Sequence, residues 1–289
     1  MSSTNFSLAS KVMLSNGKLI PQIHLGLYMV SGSEATASIR CALAAGYRGF
    51  DSAQWYYNEK EAGRAIRVFL DNPEANTQRL TRNDIFFTTK LKDNSTSFEA
   101  VQRSIRKSLV TCGLGYIDLL LLHSPYGGRE ARLASWKAIE DAIDKGIVKS
   151  GGVSNFGVRH IEELMESKPR IAPVVNQIEV HPFNTQTDIR AVCAKYGIAI
   201  EAYAPLARRM RIKHPTILEL SKKYSCSPTQ LMIRWSLQHG LIPLPKSTKY
   251  NHIIENANIG GFEISDSDME IMNGLDEKLV TDWDPTDAP

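Results

Sequence analysis

The chain lacks the close cysteine pairs of a metal knuckle or a redox motif. Cys41, Cys112, Cys193 and Cys226 lie far apart, no CxxC occurs, and three of the four fall in helix-like runs. Buried thiols in a reducing compartment are expected, not a disulfide framework. An excess of one charge is lacking too: 34 basic and 31 acidic residues leave a formal charge of +3, with the basic residues scattered. Nucleic acid and anionic membrane are therefore not expected as partners. No run is long and apolar enough to span a bilayer. The first ten residues, MSSTNFSLAS, lack the basic start and apolar core of a signal peptide, so a cytoplasmic protein is expected. Also missing is GxGxxG: the first strand after the hairpin leads into Gly26-Leu27-Tyr28-Met29, which does not fit the phosphate-binding turn of an open doubly wound sheet.

What the chain does have is alternation. Two short apolar runs around Asn16-Gly17 within residues 11–20 predict a hairpin with a type I′ turn. Strands are then expected over 23–28, 47–51, 85–89, 117–122, 147–153, 174–178, 198–203 and 241–244, each followed by at least one helical pattern. Two capping boxes punctuate the series, Thr96-Ser97-Phe98-Glu99 and Ser227-Pro228-Thr229-Gln230. Strands that alternate with helices pair in parallel, because antiparallel neighbours need no crossover. With 43% hydrophobic residues a sizeable core is available. The expected architecture is α/β: one closed (β/α)8 barrel over residues 1–289, preceded by a β-hairpin.

Chemistry in such a barrel collects at the carboxyl ends of the strands, where the loops share one mouth. Seven successive strands bring a polar or aromatic group there: Asp51, Lys90, His123, Ser154-Asn155, Asn176-Gln177, Tyr203 and Lys246-Ser247. Singly each is explicable as a cap or turn former; as a series they point to a site. Tyr56, just beyond Asp51, is a weak acid, and an ammonium beside it favours the phenolate, so Lys90 is expected to lower its pKa with Asp51 holding Lys90 in place. His123 can donate to or orient a carbonyl oxygen. Such a set delivers a proton to a developing alkoxide, as carbonyl reduction requires, and the hydride must come from a nicotinamide.

Several stretches resemble the aldo-keto reductase family. They are Asp51-Ser52-Ala53-Gln54-Trp55-Tyr56-Tyr57-Asn58-Glu59, Thr89-Lys90-Leu91, Asp118 to Leu122 with His123-Ser124-Pro125, Gly152-Val153-Ser154-Asn155-Phe156, Asn176 to Pro182, Ala202-Tyr203-Ala204-Pro205-Leu206 and Pro245-Lys246-Ser247. They cover nearly the whole chain in the family's order, and the spacing resembles a short-loop member of microbial or fungal type. The resemblance implies a catalytic tetrad of Asp51, Tyr56, Lys90 and His123, with Tyr56 the proton donor. It implies that Ser154, Asn155 and Gln177 hold the nicotinamide carboxamide and that Tyr203 stacks on the ring beside Pro205 and Leu206. Lys246, Ser247 and Thr248, with His252, would meet the 2′-phosphate, and Glu255 and Asn256 the adenine. Tyr28, Trp55 and Tyr57, with His123, would line the substrate pocket.

NADPH is then the expected cofactor, with NADH a weaker alternative, and the partner a small carbonyl compound. A monomer or homodimer is expected. Three departures modify the picture. Ser124 stands where the family often has tryptophan, so that wall should be less aromatic. The segment after Pro125 and the tail after the last helix are short, which implies an open pocket. His252 replaces a frequent arginine, which implies a narrower preference for NADPH. Two other classes remain open from sequence: a cofactor-binding regulatory subunit without turnover, and a metal-dependent hydrolase using His24, His123, His181 or His214. No HxH pair supports the latter, and His181 before Pro182 is expected to be a packed structural residue.

Overall fold

The structure is a computed structural model and describes residues 6–289. Its first elements are two short antiparallel strands, β1 (Lys11–Met13) and β2 (Leu19–Pro21), in the expected hairpin. The turn differs from type I′. The amide of Gly17 donates to the carbonyl of Leu14 and that of Leu14 to Lys18, and only Gly17, at φ +78°, is left-handed. A type I′ turn needs positive φ at both central residues. Asn16 instead spends its side chain accepting from the Lys18 amide and donating to Ser150 Oγ, and a three-residue loop results.

Eight parallel strands follow: β3 (His24–Gly26), β4 (Gly49–Asp51), β5 (Phe86–Leu91), β6 (Ile117–Leu122), β7 (Val148–Ser154), β8 (Val175–Glu179), β9 (Ala199–Tyr203) and β10 (Ile242–Pro243), paired in sequence order. A parallel bridge from Gly26 to Lys246 closes the ring, with the Gly26 amide donating to the Pro245 carbonyl at 3.1 Å. A Cβ on Gly26 would stand 3.0 Å from the Leu244 carbonyl oxygen, so the closure uses the missing side chain. The expected (β/α)8 barrel with its hairpin is present.

The crossovers are α1 (Gly32–Ala45), α2 (Glu59–Leu70), α3 (Phe98–Cys112), α4 (Gly128–Asp144), α5 (Val158–Glu166), α6 (Thr187–Lys195), the pair α7 (Pro215–Lys223) and α8 (Pro228–Gln238), and α9 (Tyr250–Ala257); α10 (Asp266–Asn273) follows the last strand-helix unit. Ser227 and Gln230 form their capping box as expected. At α3 the cap falls one residue late: Ser97 Oγ accepts from the Ala100 amide, so Glu99 sits inside the helix rather than completing a box with Thr96.

Side chains alternate across each strand. Phe50, Phe87, Leu120, Leu122 and Ile178 face outward into the main core against the helices. Phe86, Leu119, Leu121, Val175 and Ile242 face inward, where Leu14 and Ile20 of the hairpin join them and seal the amino-terminal end. Near that end His24 lies against Phe86 and directly over Gly49, where a Cβ would be 2.1 Å from its Cδ2. All four cysteines are free; Cys112 and Cys193 are buried, Cys41 and Cys226 partly so. Among the described residues no helix is long and apolar enough to cross a membrane.

Candidate active site

A cavity of about 580 Å³ opens at the carboxyl ends of the strands. Its position follows from the alternation: Asp51 ends β4, Lys90 lies next to last on β5, and Gln177, Glu201 and Tyr203 share the inward face of β8 and β9. The loop after β4 is fixed by two amides. Asn58 Nδ2 donates to the carbonyls of Leu27 and Val30 while its Oδ1 accepts from Ser52 Oγ. Gln54 Nε2 donates to Ser104 and Ser108, and its Oε1 accepts from the Lys92 amide. Between these two ties a single 3₁₀ turn, Gln54–Tyr56, presents Trp55 and Tyr56 to the cavity.

Beneath the cavity wall Lys90 Nζ lies 2.7 and 2.9 Å from the Asp51 oxygens, 2.9 Å from the Ser52 carbonyl and 3.2 Å from the Tyr56 hydroxyl. Lys90 is fully buried and Asp51 nearly so. Contrary to the sequence expectation, the Tyr56 phenol is pushed well above its ordinary acidity constant: burial raises it most, then the Asp51 charge, with Tyr28, Asp282 and Glu201 adding to it. The Lys90 charge is already matched by Asp51, so what Tyr56 meets is a compensated pair in a dry site. The His123 imidazole is held neutral, well below its usual range, by burial and then by the Lys90 charge. Its Nδ1 has no partner, and its ring packs 4.8 Å from Trp55 and 5.7 Å from Tyr56, centroid to centroid.

Next to this group lies an amide cluster. Ser154 Oγ donates to the Gln177 carbonyl, Asn155 Nδ2 to the His123 carbonyl, and the Tyr203 hydroxyl to Asn155 Oδ1 at 2.9 Å. Gln177 Nε2 donates to Asp51 Oδ2 at 2.9 Å and to Glu201 Oε2 at 2.7 Å, so its Oε1 takes no part in these bonds. Farther along the cavity come Pro205, Leu206, Lys246, Ser247, His252 and Asn256.

Of the residues expected from sequence, four stand outside the cavity wall: Lys90, fully buried against Asp51 and Tyr56, and three that lie apart from the site. Tyr57 is 80% exposed at φ +54°, turned into a separate surface depression with Gln54 and Lys60 because it terminates the 3₁₀ turn in left-handed conformation. Thr248 is exposed, and Glu255 is half-buried on α9 with its carbonyl accepting from Gln230. His181 is fully buried, 3.0 Å from Glu179, as the structural residue it was expected to be. Among the described residues no group of three or more His, Cys, Asp and Glu is placed to hold a metal ion.

The largest omission of the sequence reading is the tail. Thr281, Asp282 and Trp283 line the cavity, and Trp283 packs against Trp55, His123 and Tyr126. The wall that Ser124 leaves without an aromatic is thus filled from the far end of the chain. The tail is tied down along its length. The Thr281 amide donates to Glu179, the Leu279 amide to the Phe183 carbonyl, Arg208 pairs with Asp282 at 3.1 Å, and Arg132 donates to the Pro289 carbonyl. Glu201 was also missed, although period-2 alternation from Tyr203 places it on the same face.

Comparison with known proteins gives this geometry its class. The model of the Aldo/keto reductase family matches residues 22–277. A Schizosaccharomyces pombe protein named an uncharacterized oxidoreductase is 46% identical, over 98% of this chain and 99% of its own. The glyoxal reductase of Bacillus subtilis is 36% identical over 94% of both chains. Among solved structures, a Bombyx mori aldo-keto reductase in complex with NADP superposes with a TM-score of 0.87 at 31% identity, covering 96% of this chain and 95% of that one. The molecule is a (β/α)8-barrel oxidoreductase. It belongs to the aldo/keto reductase family.

Proposed function

We propose that this chain, acting as one unit over residues 1–289, reduces aldehydes or ketones with NADPH, Tyr56 supplying the proton. The observation that carries this is the Tyr56 hydroxyl in the cavity wall, 3.2 Å from a Lys90 ammonium held by Asp51. The high proton affinity of Tyr56 keeps the phenol protonated at working pH, the form a donor needs. Once the proton passes to the substrate oxygen, Lys90 is in contact with the phenolate that remains. Neutral His123, facing the same space, donates a hydrogen bond to that oxygen and orients the carbonyl.

The residues present fit a nicotinamide dinucleotide. Near Tyr56 they offer Ser154, Asn155 and the unused Oε1 of Gln177 to a carboxamide, and the Tyr203 ring to the heterocycle. Farther off they offer a lysine, Lys246, with Ser247 and His252, to a phosphate, and Asn256 to the adenine. When bound, the cofactor supplies the hydride. The Bombyx mori complex with NADP supports the choice of cofactor. Tyr28, Trp55 and Trp283 wall the substrate end with aromatic surface, which suits apolar or aromatic carbonyl compounds; the Bacillus subtilis relative makes glyoxal a second probe.

The test is NADPH oxidation with an aromatic aldehyde and with glyoxal by wild type and Tyr56→Phe. The variant keeps the ring and loses the acid. Turnover is expected to fall by about 10²–10⁴-fold or more with NADPH affinity nearly unchanged. Near-wild-type turnover would remove Tyr56 from the chemistry. A wild type that binds NADPH and oxidises none of it would favour a regulatory subunit.

A further inference from the structure

Deeper in the barrel, one pleat below Tyr203, the inward face carries polar groups that the reduction chemistry does not use. His24 on β3, Thr88 on β5 and Glu201 on β9 are all fully buried. Oγ1 of Thr88 and Oε1 of Glu201 have no hydrogen-bond partner, and the nearest polar atom given for Glu201 Oε1 is His24 Nδ1 at 3.5 Å. Buried polar atoms without partners are costly, so their retention in an otherwise well-packed barrel calls for a reason. Glu201 is the member connected to the site. Gln177 gives one amide hydrogen to Glu201 Oε2 at 2.7 Å and the other to Asp51 Oδ2 at 2.9 Å. A flipped amide would set its oxygen against two carboxyl groups, so this pair of acceptors decides which way Gln177 points. Without Glu201 only Asp51 would hold it.

We propose that Glu201 is a positioning residue of this site: without touching substrate, it fixes the Gln177 amide against Asp51, and when ionised it adds a charge that Tyr56 feels. The proposal rests on the reductase reading above. The groups that face Glu201 are Gln177 from β8, Asp51 from β4, Lys90 from β5 and His24 from β3, the last with Nδ1 3.5 Å from Glu201 Oε1. Its register neighbour on β10 is the apolar Ile242. Burial first, then the Asp51 charge, push the Glu201 carboxyl up to about 8, against the opposing pull of Gln177 and Lys90. Burial drives His24 down to about 3, leaving Nδ1 free to accept. Near neutral pH Glu201 then keeps its proton and is uncharged, and the Lys90–Asp51 pair at 2.7 Å is the ion pair beside it. Above about pH 8 that proton leaves, two carboxylates share one ammonium, and the added charge raises Tyr56 further. In alcohol oxidation, where Tyr56 must act as base, the wild-type phenolate therefore forms only at a higher pH.

The closing experiment uses the full chain and three readouts. The first is thermal unfolding of the free protein against pH. A carboxyl raised on folding stabilises fully below its unfolded value, about 4.5, and the contribution is lost as pH rises to about 8. The Tm advantage of wild type over Glu201→Gln is therefore expected to shrink between pH 5 and pH 8 and to be flat above. The second readout is the pH profile of alcohol oxidation, in which Glu201→Gln is expected to move the apparent tyrosine pKa down by about half a unit or more. The third is the NADPH dissociation constant by fluorescence titration. Glu201→Leu removes the acceptor from Gln177, and the constant is expected to rise about tenfold while kcat changes less. Should Glu201→Gln fail to fold, Glu201→Asp keeps the acid but withdraws it from Gln177, so weaker NADPH binding with the pH drift retained is expected. Wild-type behaviour of Glu201→Gln in both Tm drift and oxidation profile, or wild-type NADPH affinity in Glu201→Leu or Glu201→Asp, overturns the proposal. A wild type that shows the Tm drift and binds NADPH yet reduces no carbonyl overturns the reductase reading instead, and leaves the hold of Glu201 on Gln177 standing.

Discussion

The Lys90 ammonium reaches four oxygens: both of Asp51, the Ser52 carbonyl and the Tyr56 hydroxyl. That Asp51 and Lys90 meet at this point was legible from the strand tips, because each closes a recognisable apolar run, and Tyr56 lies just beyond on the 3₁₀ turn. The sign of the effect on Tyr56 was not. It depends on how much of the ammonium charge the two carboxylate oxygens already neutralise and on how dry the site is, and both are properties of packing. At the other end of the cavity the relevant residue is His252. It lines the wall with Lys246 and Ser247, where an arginine would offer a planar, permanently charged fork. His252→Arg is expected to raise the preference for NADPH over NADH by about tenfold, since a hydrogen bond to a charged group contributes about 1.5–3 kcal/mol. Dissociation constants for both cofactors, in wild type and variant, give the ratio directly. An unchanged ratio would mean that His252 turns away from the phosphate.

At the scale of elements, strands were legible where periodicity ran for several residues, and most of their ends drifted by one or two positions. The β6 strand falls where the pattern put it, while β10 shrinks to two residues. The tail was illegible for a different reason. It has no period, and the contacts that hold it are with residues distant in the chain, so nothing local marks Trp283 as a wall of the cavity. One position shows how closely it is laid down: a Cβ on Gly157 would stand 2.1 Å from the Thr286 carbonyl oxygen. Gly157 has ordinary extended backbone, so Gly157→Ala brings steric conflict without conformational strain. It is expected to cost about 1–3 kcal/mol and to lift the tail. Because Trp283 and Asp282 then move from the substrate end, KM for the aldehyde should rise several-fold while kcat stays within a few-fold of wild type. Thermal unfolding and steady-state kinetics test both parts; an unchanged KM would separate the tail from the site.

Over the whole molecule, the barrel divides its interior by depth. Apolar side chains and the hairpin fill the amino-terminal end, polar groups occupy the middle, and the cavity opens above them. The closed parallel order was legible from eight alternations, but the depth at which His24 and Glu201 settle follows from strand stagger, which no local pattern records. His24 is accommodated there because position 49 has no side chain. Gly49→Ala alone is expected to destabilise by about 1–3 kcal/mol, and far less in a His24→Ala background, a coupling that a double-mutant cycle in thermal unfolding measures. The two positions are therefore ordered in time as well as in space. A histidine enters at 24 at least cost where glycine already stands at 49, and once it has entered, exchange of that glycine costs about 1–3 kcal/mol. Relatives that share the histidine should all share the glycine, whereas those with a small residue at 24 should be free to vary at 49.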